Sequence, residues 1–315
     1  MNSPVVSSLV PVVILIALGF LAGRMRWISG VGVKDFSNVV FLLLTPALLF
    51  RTMGKVQLAH LDFTPVAAYF TGVIVLFAAT LLVCGFNRRS AVLALAATFG
   101  NTVMIGIPIV SLAFGEPGLV TLFTLYTVHT VLLLTCATVL LELAVAREEA
   151  AVDGAARRSM GRTIFMAMRN AVIHPVPLPI IAGLLFAQAG LTLPSLLDKP
   201  LELLGNAVGP MALLLVGITL SQSPMGLHAR GALALAAVKN LAHPALVAAA
   251  GWALGLHGLP LAVMVVTAAL PIGANVFLFS QRYKVAENLI TAGVAASTAL
   301  ALVTVSLVLW LAQRL

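Results

Sequence analysis

Ten long apolar runs, separated by short polar gaps, constrain this chain more than any other feature of its sequence. The runs cover residues 5–23, 35–53, 65–84, 91–114, 118–142, 167–189, 199–220, 231–255, 260–281 and 286–311. Each is close to the roughly 20 apolar residues with which an α-helix crosses the hydrocarbon core of a bilayer. Only 9% of the residues are charged, whereas a soluble domain carries roughly 25%. The sequence predicts an all-α integral membrane protein with ten transmembrane helices, because the runs are too uniformly apolar for barrel strands.

The basic residues in the gaps predict the orientation of the chain. With the N-terminus outside, the inner gaps hold thirteen Lys and Arg residues and the outer gaps hold four. The inner set is Arg24, Arg26, Lys34, Arg88, Arg89, Arg147, Arg157, Arg158, Arg162, Arg169, Arg230, Arg282 and Lys284, and the outer set is Arg51, Lys55, Lys199 and Arg314. By the positive-inside rule both termini are expected outside. The net charge of +8 is scattered among the gaps, so no nucleic-acid partner is expected.

Neither the first apolar run nor the cysteines indicate secretion. The first run follows no basic segment and lacks a clear cleavage site before Arg24, so it is interpreted as a retained span rather than a signal peptide. Cys84 and Cys136 both lie inside apolar runs and form no disulfide framework.

One polar stretch, Arg147 to Arg162, divides the ten spans into two groups of five. The predicted organisation is a first five-helix repeat at 1–145, a cytoplasmic linker at 146–164 and a second five-helix repeat at 165–315. Because five is odd, the second repeat is inverted relative to the first. Prolines support a duplication: Pro46 and Pro210 are 164 residues apart, and Pro108 and Pro271 are 163 apart.

Spans four and nine each carry Pro, Gly and Asn in their apolar interior, which predicts broken helices. Span four contains Gly100, Asn101 and Pro108, and span nine contains Pro271, Gly273 and Asn275. Interrupted helices in inverted repeats are typical of secondary transporters with a site near the bilayer midplane. Two half-helix N-termini facing one cavity would favour an anion. The alternative is that both spans hold ordinary proline kinks, with Asn bonding between helices.

Ionisable residues inside the spans are few, and each has two interpretations. His129 and Tyr126 share a helix face in span five, where His129 either titrates in the cavity or bonds a neighbouring helix. Lys239 and His243 share a face of span eight. There Lys239 either neutralises a substrate carboxylate, pairs with a helix C-terminus or snorkels to the surface. His174 is interpreted as part of a distorted helix entry, and Arg51 as an interfacial anchor.

No carboxylate lies near the middle of any span, so no sodium site built from carboxylates is visible. The backbone carbonyls of broken helices remain as alternative sodium ligands. No cofactor is expected, and coupling to H⁺ or to Na⁺ both stay open. The sequence also lacks a His-Glu-x-x-His pair, a phosphate loop and a paired nucleophile, so an enzyme is not expected.

Two motifs resemble those of the auxin efflux carrier family. Residues 101–108, Asn-Thr-Val-Met-Ile-Gly-Ile-Pro, are similar to the fourth-span motif of that family, which includes the plant PIN-type carriers. Residues 269–283 resemble the ninth-span motif of its bacterial members, and Pro46 and Pro210 also fit. The resemblance covers the whole chain.

The resemblance implies a fold in which broken helices four and nine cross. Spans 3–5 and 8–10 would form a moving transport domain, and spans 1, 2, 6 and 7 a scaffold that also forms a homodimer. It implies a carboxylate substrate and a bacterial inner membrane. The candidate substrate-binding residues are Gly100, Asn101, Thr102, Pro108, Tyr126, Pro271, Ile272, Gly273 and Asn275. The candidates for coupling or charge compensation are His129, Lys239 and His243.

The predicted function is therefore a secondary transporter of a small organic anion, a carboxylate or an auxin-like acid, working by alternating access. One alternative is a sodium- or proton-coupled symporter of the bile-acid-transporter type. A second alternative, from another class, is a channel or a membrane sensor.

Overall fold

A computed structural model describes residues 4–57, 59, 61–150, 161, 165, 169, 176–222 and 228–312. In these residues the regular structure is helical, and no β-strand occurs apart from one isolated bridge. The helices are α1 (Pro4–Arg24), α2 (Gly30–Val39), α3 (Thr45–Met53), α4 (Thr64–Cys84), α5 (Arg88–Thr98), α6 (Ile107–Ala150), α7 (Pro177–Gln188), α8 (Ser195–Gln222), α9 (Ala229–Ala237), α10 (His243–Ala253), α11 (Gly258–Ala269), α12 (Ala274–Arg282) and α13 (Glu287–Ala312). The predicted all-α membrane class is confirmed.

Six helical segments of the described chain are long and apolar enough to cross a membrane. They are Gly30–Met53, Thr64–Cys84, Thr102–Glu148, Ser195–Gln222, Ala229–Ala253 and Glu287–Ala312. Three further apolar helices, Val10–Arg24, Pro177–Gln188 and Gly258–Ala269, are shorter. The helix bounds follow the predicted runs, but the count of ten spans stays a prediction. Most of the predicted linker, and His174, lie outside the described residues.

The longest segment, Thr102–Glu148, contains a break that makes it two helices. At 47 residues it would extend about 70 Å as one straight helix, more than twice the hydrocarbon thickness. Gly115 interrupts it with φ 62° and ψ −154°, a conformation that glycine adopts without a Cβ penalty. The chain therefore has a sharp kink at Gly115, between the predicted spans four and five.

Three prolines inside helices are each preceded by one π-helical turn. The turns are Val40–Leu44, Thr102–Gly106 and Val238–Ala242, and the prolines Pro46, Pro108 and Pro244 follow two residues after each turn ends. In every case the residue before the proline donates its N–H to the carbonyl five residues earlier. A proline ring clashes with the carbonyl four residues back. The wider π turn removes that clash, so the helix continues through the proline.

Helices α1, α3, α7 and α8 pack with one another as one group. Helix α1 lies along α8, while α3 contacts both α7 and α8. Glycines permit the close approach, because a Cβ on Gly19 would overlap the backbone of Leu214, and a Cβ on Gly217 would overlap that of Ile16. Small residues at such contacts are the usual means of helix association in lipid.

Helices α4, α9, α10, α11 and α13 form a second group. Helix α4 packs against α10, α9 packs against α13, and α11 contacts both α10 and α13. Gly72 of α4 is essential to this packing, since a Cβ there would lie 2.7 Å from Cγ2 and 3.0 Å from the backbone nitrogen of Val247. Helix α6 contacts helices of both groups.

Candidate functional site

Two helix breaks lie side by side within the second group. The first covers residues 99–101, between α5 and the π turn before α6, and the second covers residues 270–273, between α11 and α12. Gly100 and Ile272 form an isolated antiparallel bridge. The N–H of Asn101 donates to the carbonyl of Pro271 at 2.7 Å, and the N–H of Gly273 donates to the carbonyl of Phe99 at 2.9 Å. The pairing satisfies backbone groups that the breaks release from their helices, in a region where lipid has no partner for them. The structure thus brings five of the predicted site residues together: Gly100, Asn101, Pro271, Ile272 and Gly273.

Each break has a local cause in the sequence. Helix α5 ends at Thr98, and Phe99 is extended, with φ −88° and ψ 111°. Asn101 then starts the next helical segment, and its Oδ1 accepts the N–H of Met104 at 3.4 Å. This is the N-cap role for which asparagine is favoured. In the other break, Gly273 precedes α12 with extended backbone and no side-chain cap.

Glycine is required where the two breaks touch. A Cβ on Gly273 would lie 2.7 Å from Cδ1 of Phe99 and 2.9 Å from the carbonyl oxygen of Gly100. A Cβ on Gly106 would lie 2.6 Å from Cδ1 of Leu270. Gly273 therefore lets the two backbones approach within hydrogen-bond distance, and Gly106 leaves room for the side chain of Leu270.

The ammonium group of Lys239 lies beside the breaks and is completely buried. It donates to the carbonyls of Ala268 and Leu270, at 2.6 Å each, where α11 ends. A cation at a helix C-terminus bonds its last carbonyls and opposes its dipole. Of the three roles predicted for Lys239, pairing with a helix C-terminus matches these contacts. Snorkelling to the surface does not.

Aromatic rings and imidazoles form a buried cluster next to Phe99, in the break between α5 and α6. His129 stacks on Phe99 with ring centroids 4.9 Å apart, and its Nε2 lies 3.5 Å from the hydroxyl of Tyr69. The ring of His243 meets the same tyrosine at 5.3 Å. Neither nitrogen of His243 has a hydrogen-bond partner among the described residues. The cluster connects the two histidines, which the sequence placed on different spans, through Tyr69.

Three residues that support the site were missed by the sequence prediction. Tyr69 joins the two histidines, Ser297 accepts the N–H of Ile272 on its Oγ at 3.1 Å, and Asn240 donates from Nδ2 to the carbonyl of Ser297 at 2.8 Å. The signal for Tyr69 was a tyrosine inside an otherwise apolar run. Ser297 and Asn240 carry no such signal, because small polar residues are common in membrane helices.

The remaining predicted residues lie around the breaks at different depths. Thr102 is buried, with its N–H bonded to the carbonyl of Gly100 at 2.9 Å. Asn275 is half-buried in the first turn of α12. Tyr126 lies farther away, with its ring centroid 6.3 Å from that of His129.

Pro108 requires a correction. It was predicted to hold span four open, but the break at residues 99–101 precedes it, and the π turn carries the helix through the proline. The bridge pairs residues 100 and 272, and the duplication suggested by the proline spacing stays a prediction. Pro108 instead lines a cavity of about 340 Å³.

That cavity lies between α6 and the first group of helices, and Arg51, Glu116 and Asn206 line it. Arg51 does more than anchor the chain at the interface. Its Nε and Nη2 donate to the carboxylate of Asp198 at 2.6 and 2.9 Å, a bidentate pair that joins α3 to α8.

Helix breaks that pair inside a bundle of long apolar helices are typical of membrane transporters. The chain belongs to the family described as "Membrane transport protein", whose profile matches residues 4–309. The resemblance to the auxin efflux carriers drawn from the motifs is confirmed, and the chain is a transporter rather than an enzyme.

Relatives of known description agree with this assignment. The "Putative malonate transporter" of Rhizobium meliloti (strain 1021) is 27% identical over 309 residues, covering 94% of this chain and 92% of that protein. "Auxin efflux carrier component 4" of Arabidopsis thaliana is 29% identical over 137 residues, 42% of this chain and 22% of that protein. "Auxin efflux carrier component 8" of the same plant is 24% identical over 241 residues, 65% of this chain and 66% of that protein.

Proposed function

We propose that this transporter carries a small organic anion by alternating access, with its binding site where the two helix breaks meet. One observation carries the proposal. The helical segments that begin at Thr102 and at Ala274 start on either side of the same backbone bridge. Each start presents N–H groups and the positive end of a helix dipole, which favours a negatively charged solute.

The two asparagines of the breaks are proposed to hydrogen-bond the substrate. Asn101 and Asn275 are only partly buried, whereas the bridge residues Gly100, Ile272 and Gly273 are buried. A side-chain amide donates two hydrogen bonds, enough to hold one carboxylate oxygen from each side. The backbone groups that face the substrate would come from Gly100, Thr102, Ile272 and Gly273. The walls of the binding site would come from the side chains of Pro271 and Tyr126. Pro108 would line the path into the site.

The substrate class is proposed to be mono- or dicarboxylic acids. The relative of similar length is described as a malonate transporter, and the plant relatives are described as auxin carriers. Malonate and auxin share a carboxylate on a small organic frame. Lys239 would balance the carbonyl ends of α11 rather than meet the substrate, so the site's preference for anions would come from helix N-termini and amides.

Alternating access is proposed to involve ten spans in two inverted repeats, at 1–145 and 165–315. The helices of predicted spans 1, 2, 6 and 7 would form a dimerising scaffold, against which the others move. The contacts within each of the two groups of helices support this division. The protein would lie in the bacterial inner membrane, with both termini outside.

Coupling to an ion is proposed to depend on the buried cluster of His129 and His243 with Lys239. A proton would act on these groups directly. A sodium ion would need backbone carbonyls, since no carboxylate joins the cluster in the described residues. Sodium dependence would favour the symporter of the bile-acid type.

The experiment is charge movement in proteoliposomes on a solid-supported membrane. Malonate, malate, succinate and indole-3-acetate would be applied with and without sodium and at two pH values. We expect a saturable current with at least one acid, with loss of current in Asn101→Ala and Asn275→Ala. Asn38→Ala, on the exposed face of α2, is the matched control and should transport normally.

Two results would contradict the proposal. Wild-type currents in both asparagine variants would remove them from the site. Silence of the wild type across the panel, with no uptake of labelled acids, would refute the anion assignment. A current that does not saturate and shows no counterflow would indicate a channel.

A further inference from the structure

A wide cavity at one end of the bundle is separate from the helix breaks. Its volume is about 940 Å³, and it lies where α5, α9 and α13 begin. Three cationic side chains from three different segments line it: Arg89, Arg230 and Lys284. None of the residues of the backbone bridge contributes to its wall.

In the part of the chain that the structure describes, positive side chains outnumber negative ones in the lining of this cavity. Among the described residues, none of its three cations has a carboxylate within ion-pair distance, whereas the adjacent Arg88 pairs with Glu148 at 2.6 Å. Glu287 is the one acidic residue in the lining. With three positive groups and one negative group, the cavity has a formal charge of +2. An anionic ligand would supply the missing charge.

Strongly exposed apolar side chains border the same end of the bundle. Leu82 and Val83, in the last turn of α4, are 84% and 86% exposed. That turn is joined to the start of α5 because the carbonyl of Cys84 accepts the Oγ–H of Ser90 at 3.0 Å. Leu233, one turn beyond Arg230, is 57% exposed. Such side chains are stable against acyl chains rather than water.

We propose that the cavity binds the phosphate headgroup of an anionic phospholipid, whose acyl chains lie against Leu82, Val83 and Leu233. Basic pockets between membrane helices at the positive end of a protein suit such headgroups. The phosphate meets Arg89, Arg230 and Lys284, and the starts of α9 and α13 add backbone N–H groups. A free phosphate ion offers the same charge but leaves the apolar border uncovered, so the lipid is the favoured source.

The experiment measures binding of phosphatidylglycerol to the purified full chain in detergent, by titration and by native mass spectrometry. The test variant carries Arg89→Gln, Arg230→Gln and Lys284→Gln. Its matched control carries Arg24→Gln, Arg26→Gln and Lys34→Gln, which remove the same charge from exposed positions outside the cavity. Because all six side chains are exposed, we expect both variants to fold, which size-exclusion chromatography verifies.

We expect the test variant to bind phosphatidylglycerol about a hundredfold more weakly than the wild type, since each basic residue near an anionic headgroup contributes roughly a factor of five. The control should retain binding near the wild-type affinity. Equal losses in the two variants would overturn the proposal, because general surface charge would then explain binding. Inorganic phosphate that binds as tightly as the lipid would overturn it too, as would a wild type that retains no lipid.

Discussion

The ammonium nitrogen of Lys239 lies 2.6 Å from the carbonyl oxygen of Leu270, at the point where span nine stops being a helix. The same nitrogen bonds Ala268. A buried charge is tolerated in an apolar interior only if its surroundings replace water. Here two carbonyls that lost their helical partners do so. The break and the lysine therefore stabilise each other.

Replacing Lys239 with Met should destabilise the protein by about 1–3 kcal/mol, because two carbonyls are left without a donor in the interior. Transport should fall with it. The measurement is reversible unfolding in mixed micelles together with transport in proteoliposomes. Lys199→Met, at an exposed side chain, is the control. Wild-type stability in Lys239→Met would show that the two bonds contribute nothing to the folded state.

Replacing Gly273 with Ala should abolish transport while leaving the helices intact. The added Cβ would push against Phe99 and the carbonyl of Gly100, so the two breaks must separate. Gly30→Ala adds the same methyl group where nothing lies within 4 Å, and it should behave as the wild type. The measurement is initial rate of uptake with circular dichroism of the same samples. Normal uptake by Gly273→Ala would mean that close contact of the breaks is not needed.

Replacing Ser297 with Ala should cost about 1–3 kcal/mol, since the buried N–H of Ile272 loses its acceptor. Ser306→Ala is the comparison, because the Ser306 hydroxyl bonds a carbonyl of its own helix and its loss should cost less. Both variants would be unfolded in mixed micelles. The prediction fails if the two substitutions are equally costly.

The ion pair of Arg51 with Asp198 should show a favourable coupling energy in a double-mutant cycle with Arg51→Gln and Asp198→Asn. Its side chains are 23% and 28% exposed, whereas those of Arg88 and Glu148 are 39% and 43% exposed. The second pair should couple more weakly because water screens it more. A stronger coupling for Arg88 with Glu148 would contradict this ranking.

The sequence predicted the features that depend on local composition. Apolar length located the helices, Gly100 and Asn101 located the break in span four, and Pro271 and Gly273 located the break in span nine, since these residues act on the backbone next to them. The roles of Asn101 and Asn275 as substrate ligands stay predictions. So does the ten-span repeat.

Contacts between segments that are distant along the chain could not be predicted from the sequence. Lys239 had three plausible roles, and only the position of α11 shows which carbonyls its ammonium group contacts. Tyr69 and Ser297 are ordinary residues whose importance comes from what faces them. The interpretation of Pro108 changed as well. Its ring was expected to break the helix, but the wider π turn before it accommodates the ring without a break.

Each π turn inserts the equivalent of one extra residue into an α-helix. Removing a single residue from Val238–Ala242 would return that turn to α-helical geometry, in which the ring of Pro244 clashes with the carbonyl four residues back. The three turns thus make the helices intolerant of one-residue deletions wherever their prolines remain, and a homologue without Pro46, Pro108 or Pro244 is expected to be one residue shorter at that place.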